Sequence, residues 1–136
     1  MNTLFVLNIL FSAMMTGLIW LIQLVHYPSF KFIHQSRFVE FEVFHSRMIT
    51  YIVAPLMAFE IMIAGLLLAK LFSPLTVLCF VLVLLNWAVT AFLSVPCHQI
   101  LAQHHDENII DRLIKTNWIR TWGWTLKTIF SLLILI

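Results

Sequence analysis

Charged residues are scarce in this sequence. They make up 10% of its 136 residues, while 62% are hydrophobic, whereas soluble domains have about 25% charged and about 45 to 50% apolar residues. The mean hydropathy is +0.98. This composition excludes a soluble globular domain and predicts a small all-α integral membrane protein that forms one domain, residues 1–136.

Glycine, cysteine and basic tracts are also rare. The three glycines are not clustered, which excludes a glycine-rich phosphate loop or dinucleotide fingerprint. The two cysteines, Cys79 and Cys97, would lie about 27 Å apart along one helix, so we expect no disulfide between them. The formal charge of +2 supplies no basic tract for nucleic acid, and we predict no such partner.

Long hydrophobic runs, by contrast, are abundant. A membrane-spanning helix needs about 20 apolar residues, and strands of a membrane barrel would alternate in short segments instead. Four continuous runs are predicted as spanning helices of a bundle: residues 3–25, 49–71, 75–95 and 119–136. Pro28 and Pro96 follow the first and third runs, and we expect both helices to end there.

The basic residues predict the orientation of the bundle. Seven of the eight fall near the loops after the first and third spans: Lys31, Arg37, Arg47, Arg112, Lys115, Arg120 and Lys127. Only Lys70 falls on the other side. Because basic loops stay in the cytoplasm, both long loops are predicted to be cytoplasmic and both termini outside.

Both long loops have helical hydrophobic periodicity. The first contains an apolar stripe at spacings of three and four: Phe38, Phe41, Phe44 and Met48. The second has a similar face: Ile109, Ile110, Leu113 and Ile114. We therefore predict short amphipathic helices in the two cytoplasmic loops.

Polar residues inside the spans predict the inner face of the bundle, because lipid tails offer no hydrogen bonds. Three stripes occur at helical spacing: Asn8, Ser12, Thr16 and Gln23; Asn86, Thr90, Ser94 and His98; and Asn117, Thr121, Trp124, Thr128 and Ser131. Glu60 lies in the middle of the second span, where a charged carboxylate costs at least about 2.5 to 3.5 kcal/mol. It must be protonated, paired or coordinating.

Three histidines, His26, His45 and His98, fall at the cytoplasmic ends of three spans, beside Asn117 and Arg120. Imidazole is a common ligand of transition metals, so this set predicts a site for iron or copper, or for a haem bracketed by two of the histidines. One Glu-x-x-His pair, Glu42 and His45, is present, whereas di-iron bundles use two.

Several segments resemble a family of uncharacterised bacterial four-helix integral membrane proteins. The matching residues are Gly17, Leu18, Ile19, Trp20, Gln23, Leu24, Val25, His26, Tyr27, Pro28, Phe30, His45, Pro55, Met57, Glu60, Val95, Pro96, His98, Leu101, Asn117, Trp118, Ile119, Arg120 and Thr121. More distantly, Val95-Pro96 and the Asn-x-x-Arg-Thr motif at Asn117 are similar to the anthrone-oxygenase-like membrane domain, which has asparagine where this chain has His98. The resemblance implies a bacterial inner-membrane protein with a polar site.

Three functions are compatible with these patterns. The first is a membrane redox enzyme, oxygenase- or oxidase-like, with a metal or haem on the three histidines and with Arg120, Asn117 and Glu60 as candidate catalytic residues. Its substrate would be a hydrophobic small molecule entering from the lipid bilayer. The alternatives are a non-enzymatic module that binds a lipid or small molecule or serves as an accessory subunit, and a proton-linked carrier that uses Glu60 and works as a homo-oligomer.

Overall fold

The computed structural model describes residues 2–135, with side chains from Thr3 onward, and within this range the chain has helices and no strand. The predicted all-α class is confirmed. Met1 and Ile136, the ends of the predicted domain and of the predicted fourth span, lie outside the described residues.

Four long helices form the fold of residues 2–135. Helix α1 comprises Asn2–Leu21, a wider π turn at Ile22–His26 and a short segment, Tyr27–Ser29; a 3-10 turn, Phe30–Phe32, follows it. Helix α2 is Gln35–Lys70. Helix α3 comprises Pro74–Val89, a π turn at Thr90–Ser94 and Val95–Leu101, and helix α4 is Glu107–Leu133.

The predicted ends of the first and third helices, at Pro28 and Pro96, are wrong. In α1 the Tyr27 amide donates to the carbonyl of Ile22, and in α3 the Val95 amide donates to the carbonyl of Thr90. Each bond spans five residues, so one turn widens just before the proline. The proline, which has no N–H to donate, then occupies the first turn of the next helical segment, where none is needed. Both helices therefore continue.

The predicted loop helices are present but are not separate elements. The first is continuous with the predicted second span, residues 49–71, and the second with the fourth, residues 119–136. Asp106 starts α4 by accepting from the amides of Asn108 and Ile109. Of the predicted stripe in the first loop, Phe38 is buried, whereas Phe44 and Met48 are exposed.

The helices form a ring. Consecutive helices pack against each other, and α4 returns to pack on α1. The first turns of α4 are tied to the end of α1 by an ion pair of 2.5 Å between Lys31 and Asp111; the hydrogen bond from Lys31 holds the pKa of Asp111 below its usual value. The predicted polar stripes face inward, since all their members are buried or partly buried.

Among the described residues, three helices are long and apolar enough to cross a membrane: Thr3–Phe32, Gln35–Lys70 and Pro74–Leu101. Helix α4 is long enough but carries Arg120 and Lys127 within its length. The count of basic residues near the second long loop includes Lys127, but its side chain is fully buried inside the bundle. Arg120 is also buried, so neither residue counts toward the charge of a loop.

Candidate functional site

The three predicted histidines do come together. His26 ends the π turn of α1, His45 lies three turns into α2, and His98 follows the π turn of α3. His26 Nε2 and His45 Nδ1 are 2.7 Å apart, a hydrogen bond. The ring centroids of His45 and His98 are 5.6 Å apart. The prediction that these residues share one level of the bundle is confirmed.

His98 is the middle of a hydrogen-bonded relay. Its Nδ1 lies 2.6 Å from Oε1 of Glu42, and its Nε2 lies 3.1 Å from the Tyr27 hydroxyl. Ser46 donates to the same Glu42 oxygen at 2.7 Å. Because a carboxylate can only accept, Nδ1 carries a proton, and in neutral His98 Nε2 accepts from Tyr27. The relay is therefore Tyr27 to His98 to Glu42.

Phe30 fixes the positions of the imidazoles. Its ring is fully buried and meets the rings of His26, His45 and His98 edge to face, with centroid distances of 5.5, 5.2 and 6.5 Å. Such contacts contribute about 0.5 to 1.5 kcal/mol each between aromatic rings. The turn after α1 thus supplies the packing that holds all three side chains.

The arrangement does not fit the predicted metal or haem. Two nitrogens bound to one tetrahedral metal at about 2.05 Å would lie about 3.3 Å apart, whereas His26 Nε2 and His45 Nδ1 are at hydrogen-bond distance. Both ring nitrogens of His98 already have partners. Glu42 Oε2 and His45 Nε2 are buried without a partner, but no group of three or more histidine, cysteine or acidic side chains among residues 2–135 converges on a metal position.

Arg120 enters the site from α4. Its side chain is only 4% exposed. One terminal nitrogen, Nη1, donates to Ser94 Oγ at 3.2 Å and to Asn117 Oδ1 at 3.1 Å, and the guanidinium lies over the Trp124 ring, 5.1 Å from its centroid. Asn117 is held in turn, because its amide donates to Gln23 at 2.8 Å. Asn117 therefore positions Arg120.

A cleft between α2 and α3 leads to these groups. Its volume is about 280 Å³, and its walls are mainly apolar. Its polar lining residues are Tyr27, Thr50, Thr90, Ser94, His98 and Arg120. Thr50, Ala54 and Ala91 line it and are exposed, so the cleft opens on the outer surface of the bundle.

Glu60, the third predicted catalytic residue, belongs to a different cluster. One of its oxygens accepts from the Trp124 indole at 2.8 Å, and the other lies 3.3 Å from the Lys127 amine. Lys127 also donates to Asn8 and Ser12 on α1. Glu60 does not line the cleft. The expectation that Glu60 must be protonated, paired or coordinating is met by pairing.

Sequence reasoning gave no role in the site to Tyr27, Glu42 as the partner of His98, or Lys127 as the partner of Glu60. The sequence contains a recognisable pattern for two of these residues, Lys127 and Tyr27. Lys127 follows Trp124 by three residues on the polar stripe of α4, and Tyr27 adjoins His26. The pairing of Glu42 with His98, 56 residues away, has no local signature.

Comparison of the chain with protein-family models, curated proteins and solved structures finds no match. The sequence resemblance to bacterial four-helix membrane proteins and to the anthrone-oxygenase-like domain therefore stays a prediction.

Proposed function

We propose that this chain is a four-helix protein of a bacterial inner membrane that binds a hydrophobic small molecule in the cleft between α2 and α3 and exchanges a proton with an oxygen-bearing group on it. The observation that carries the proposal is that the Tyr27–His98–Glu42 relay ends in the cleft, beside Arg120. Apolar walls with a few convergent polar groups are typical of small-molecule sites.

The proton path follows the hydrogen bonds. Tyr27 takes a proton from the bound molecule as its own hydroxyl proton passes to His98 Nε2, and the resulting imidazolium is stabilised by Glu42. The negative charge that develops on the oxygen of the bound molecule is stabilised by the Arg120 guanidinium. A proton next to a carbonyl is the kind that such an arrangement removes, so the proposed reaction class is enolisation or isomerisation.

The membrane setting is part of the proposal. Three helices have the length and composition of spans, and from Asn117 onward the polar residues of α4, Arg120 and Lys127 among them, are buried or partly buried in the bundle. Five of the six exposed lysines and arginines lie at one end of the bundle: Lys31, Arg37, Arg47, Arg112 and Lys115. The sixth, Lys70, lies at the other end. This asymmetry favours cytoplasmic long loops and external termini.

Proton exchange can be measured with 2-tetralone, an apolar aromatic ketone with acidic C–H bonds beside its carbonyl. We expect the purified protein in detergent to accelerate deuterium uptake from D2O at these positions, observed by NMR. Tyr27→Phe should lower the acceleration by about 100-fold, the usual contribution of a general acid or base. Tyr51→Phe is the matched control, because Tyr51 is exposed and outside the cleft.

Binding is measured separately. Trp87 lines the cleft, so a bound naphthoquinone with an alkyl chain should quench tryptophan fluorescence. Ala91→Leu fills the mouth of the cleft and should weaken quenching, whereas Ala13→Leu, on the exposed side of α1, should not. Unchanged quenching in Ala91→Leu would contradict the proposal.

A metal or haem on His26, His45 and His98, and with it redox chemistry, stays a prediction that the geometry does not favour. Element analysis and an absorption spectrum of the purified protein test it directly. A stoichiometric metal or a Soret band that is lost in His26→Ala, His45→Ala and His98→Ala would replace the acid–base proposal.

A further inference from the structure

The interior of the bundle contains two cations, and only one of them has an acidic partner. Lys127 and Arg120 lie seven residues apart on α4, and both are buried. Lys127 is paired with Glu60. None of the ion pairs in the described part of the chain includes Arg120.

The contacts of the Arg120 guanidinium in the described part of the chain are with neutral groups. It donates to the Ser94 hydroxyl and the Asn117 amide oxygen, its face lies on Trp124, and the Tyr27 hydroxyl is also beside it. The acidic residue of the relay, Glu42, contacts His98 and Ser46. A buried charge without an opposite charge is strongly unfavourable, so the protein alone leaves this cation incompletely stabilised.

The unused edge of Arg120 has the shape that recognises a carboxylate. Both hydrogen bonds of its guanidinium come from Nη1, and Nε is buried with no partner. Nε therefore lacks a hydrogen-bond partner in the described part of the chain, and the two parallel N–H groups of an Nε–Nη2 edge match the two oxygens of a carboxylate. Arg120 also lines the cleft between α2 and α3.

We propose that the cleft binds a lipophilic monocarboxylate, whose carboxylate pairs with the Nε–Nη2 edge of Arg120 and whose apolar body lies between α2 and α3. A single guanidinium, with no lysine or second arginine lining the cleft, suits one negative charge and not a phosphate dianion. The inference rests on the proposed binding function of the cleft and adds the chemical class of the ligand.

The test compares an acid with its neutral ester. cis-Parinaric acid and its methyl ester are fluorescent probes with the same apolar chain, and energy transfer from tryptophan reports their binding to the protein in detergent, with empty micelles as the blank. Because a charge-assisted hydrogen bond contributes about 1.5 to 3 kcal/mol, we expect the wild type to prefer the acid by about 10- to 100-fold.

Arg120→Gln should reduce the preference to within about twofold, whereas Arg112→Gln, an exposed arginine of the same helix, should leave it unchanged. Ala91→Leu should weaken the acid and the ester alike. A wild type that binds both probes equally would overturn the inference even if Arg120→Gln does not fold, and so would binding of the acid that Ala91→Leu leaves unchanged.

The two proposals can fail separately. Equal binding of acid and ester, together with Ala91-sensitive binding of the naphthoquinone, removes the carboxylate specificity and leaves the cleft as a binding site. Failure of the acid, the ester and the naphthoquinone to bind overturns both.

Discussion

At the scale of single residues, the ion pair between Glu60 and Lys127 affects the free energy of unfolding of the bundle. Both side chains are buried, at 3.3 Å. Removing one member of a buried ion pair leaves the other charge without a partner and costs about 3 to 5 kcal/mol, whereas replacing both members by apolar groups is often neutral. Single and double substitutions of this pair should therefore differ in their effect on stability.

We predict that Glu60→Gln and Lys127→Met each lower the free energy of unfolding in detergent by about 3 to 5 kcal/mol, and that the double variant regains most of the loss. Glu40→Gln is the control, since its exposed pair with Arg37 should contribute at most about 1 kcal/mol. Additive losses in the double variant would show that the two charges do not compensate each other.

A second residue-scale prediction concerns Asn117, a positioning residue for Arg120. Asn117→Leu removes the oxygen that accepts from Arg120 while keeping a similar volume. If Arg120 is aimed by this bond, the variant should lose about tenfold in the acid-over-ester preference of the cleft, because one charge-assisted hydrogen bond is lost. Thr116→Val, on the same helix but bonded only to its own backbone, should retain the preference.

At the scale of helices, close packing of α3 on α4 depends on one glycine. A Cβ at Gly123 would clash with the side-chain oxygen of Asn86 and lie 3.0 Å from its Cγ. Asn86 is fully buried, so its amide has little room to move. Small residues at helix crossings let backbones approach in this way.

Gly123→Ala should therefore destabilise the bundle by about 1 to 3 kcal/mol, the usual cost of overpacking. Gly17→Ala is the matched control, because a Cβ there meets nothing within 4 Å. That exchange should instead stabilise α1 by about 0.5 to 1 kcal/mol, since alanine loses less backbone freedom than glycine. Equal changes in midpoint temperature for the two variants would contradict the packing argument.

The helices also show how far periodicity alone can predict structure. The inward polar stripes and the level shared by His26, His45 and His98 follow from a helical repeat, and the structure confirms both. The π turns before Pro28 and Pro96 do not follow from it. A proline can end, bend or widen a helix, and the choice depends on packing of the next segment, which the sequence does not display.

At the scale of the whole molecule, the number and class of helices were predictable because apolar runs of this length have few alternatives. The partners of the buried charged residues were not predictable. Lys127 pairs with Glu60, which is 67 positions away in the sequence, and Glu42 meets His98 only after α2 and α3 pack together. Long-range pairs depend on which helices become neighbours, which the local pattern leaves undetermined.

We predict that α4 also crosses the membrane, although its sequence alone does not show how its charged residues are paired. Cysteines introduced at Phe72, Gln103 and Leu135, all exposed, report the α2–α3 loop, the α3–α4 loop and the end of α4. The native Cys79 and Cys97 are buried and should not react. In cells with a permeable outer membrane, an impermeant maleimide should label Phe72→Cys and Leu135→Cys directly, but Gln103→Cys only after the inner membrane is opened.

Each alternative topology gives its own labelling pattern. If Leu135→Cys behaved like Gln103→Cys, α4 would not cross the membrane and would lie with the cytoplasmic loops. A full reversal would leave four spans but place the basic loops outside, against the charge asymmetry. The expected pattern requires Arg120 and Lys127 to enter the membrane with their helix, which is energetically feasible only because the first is shielded by Trp124, Ser94 and Asn117 and the second is neutralised by Glu60.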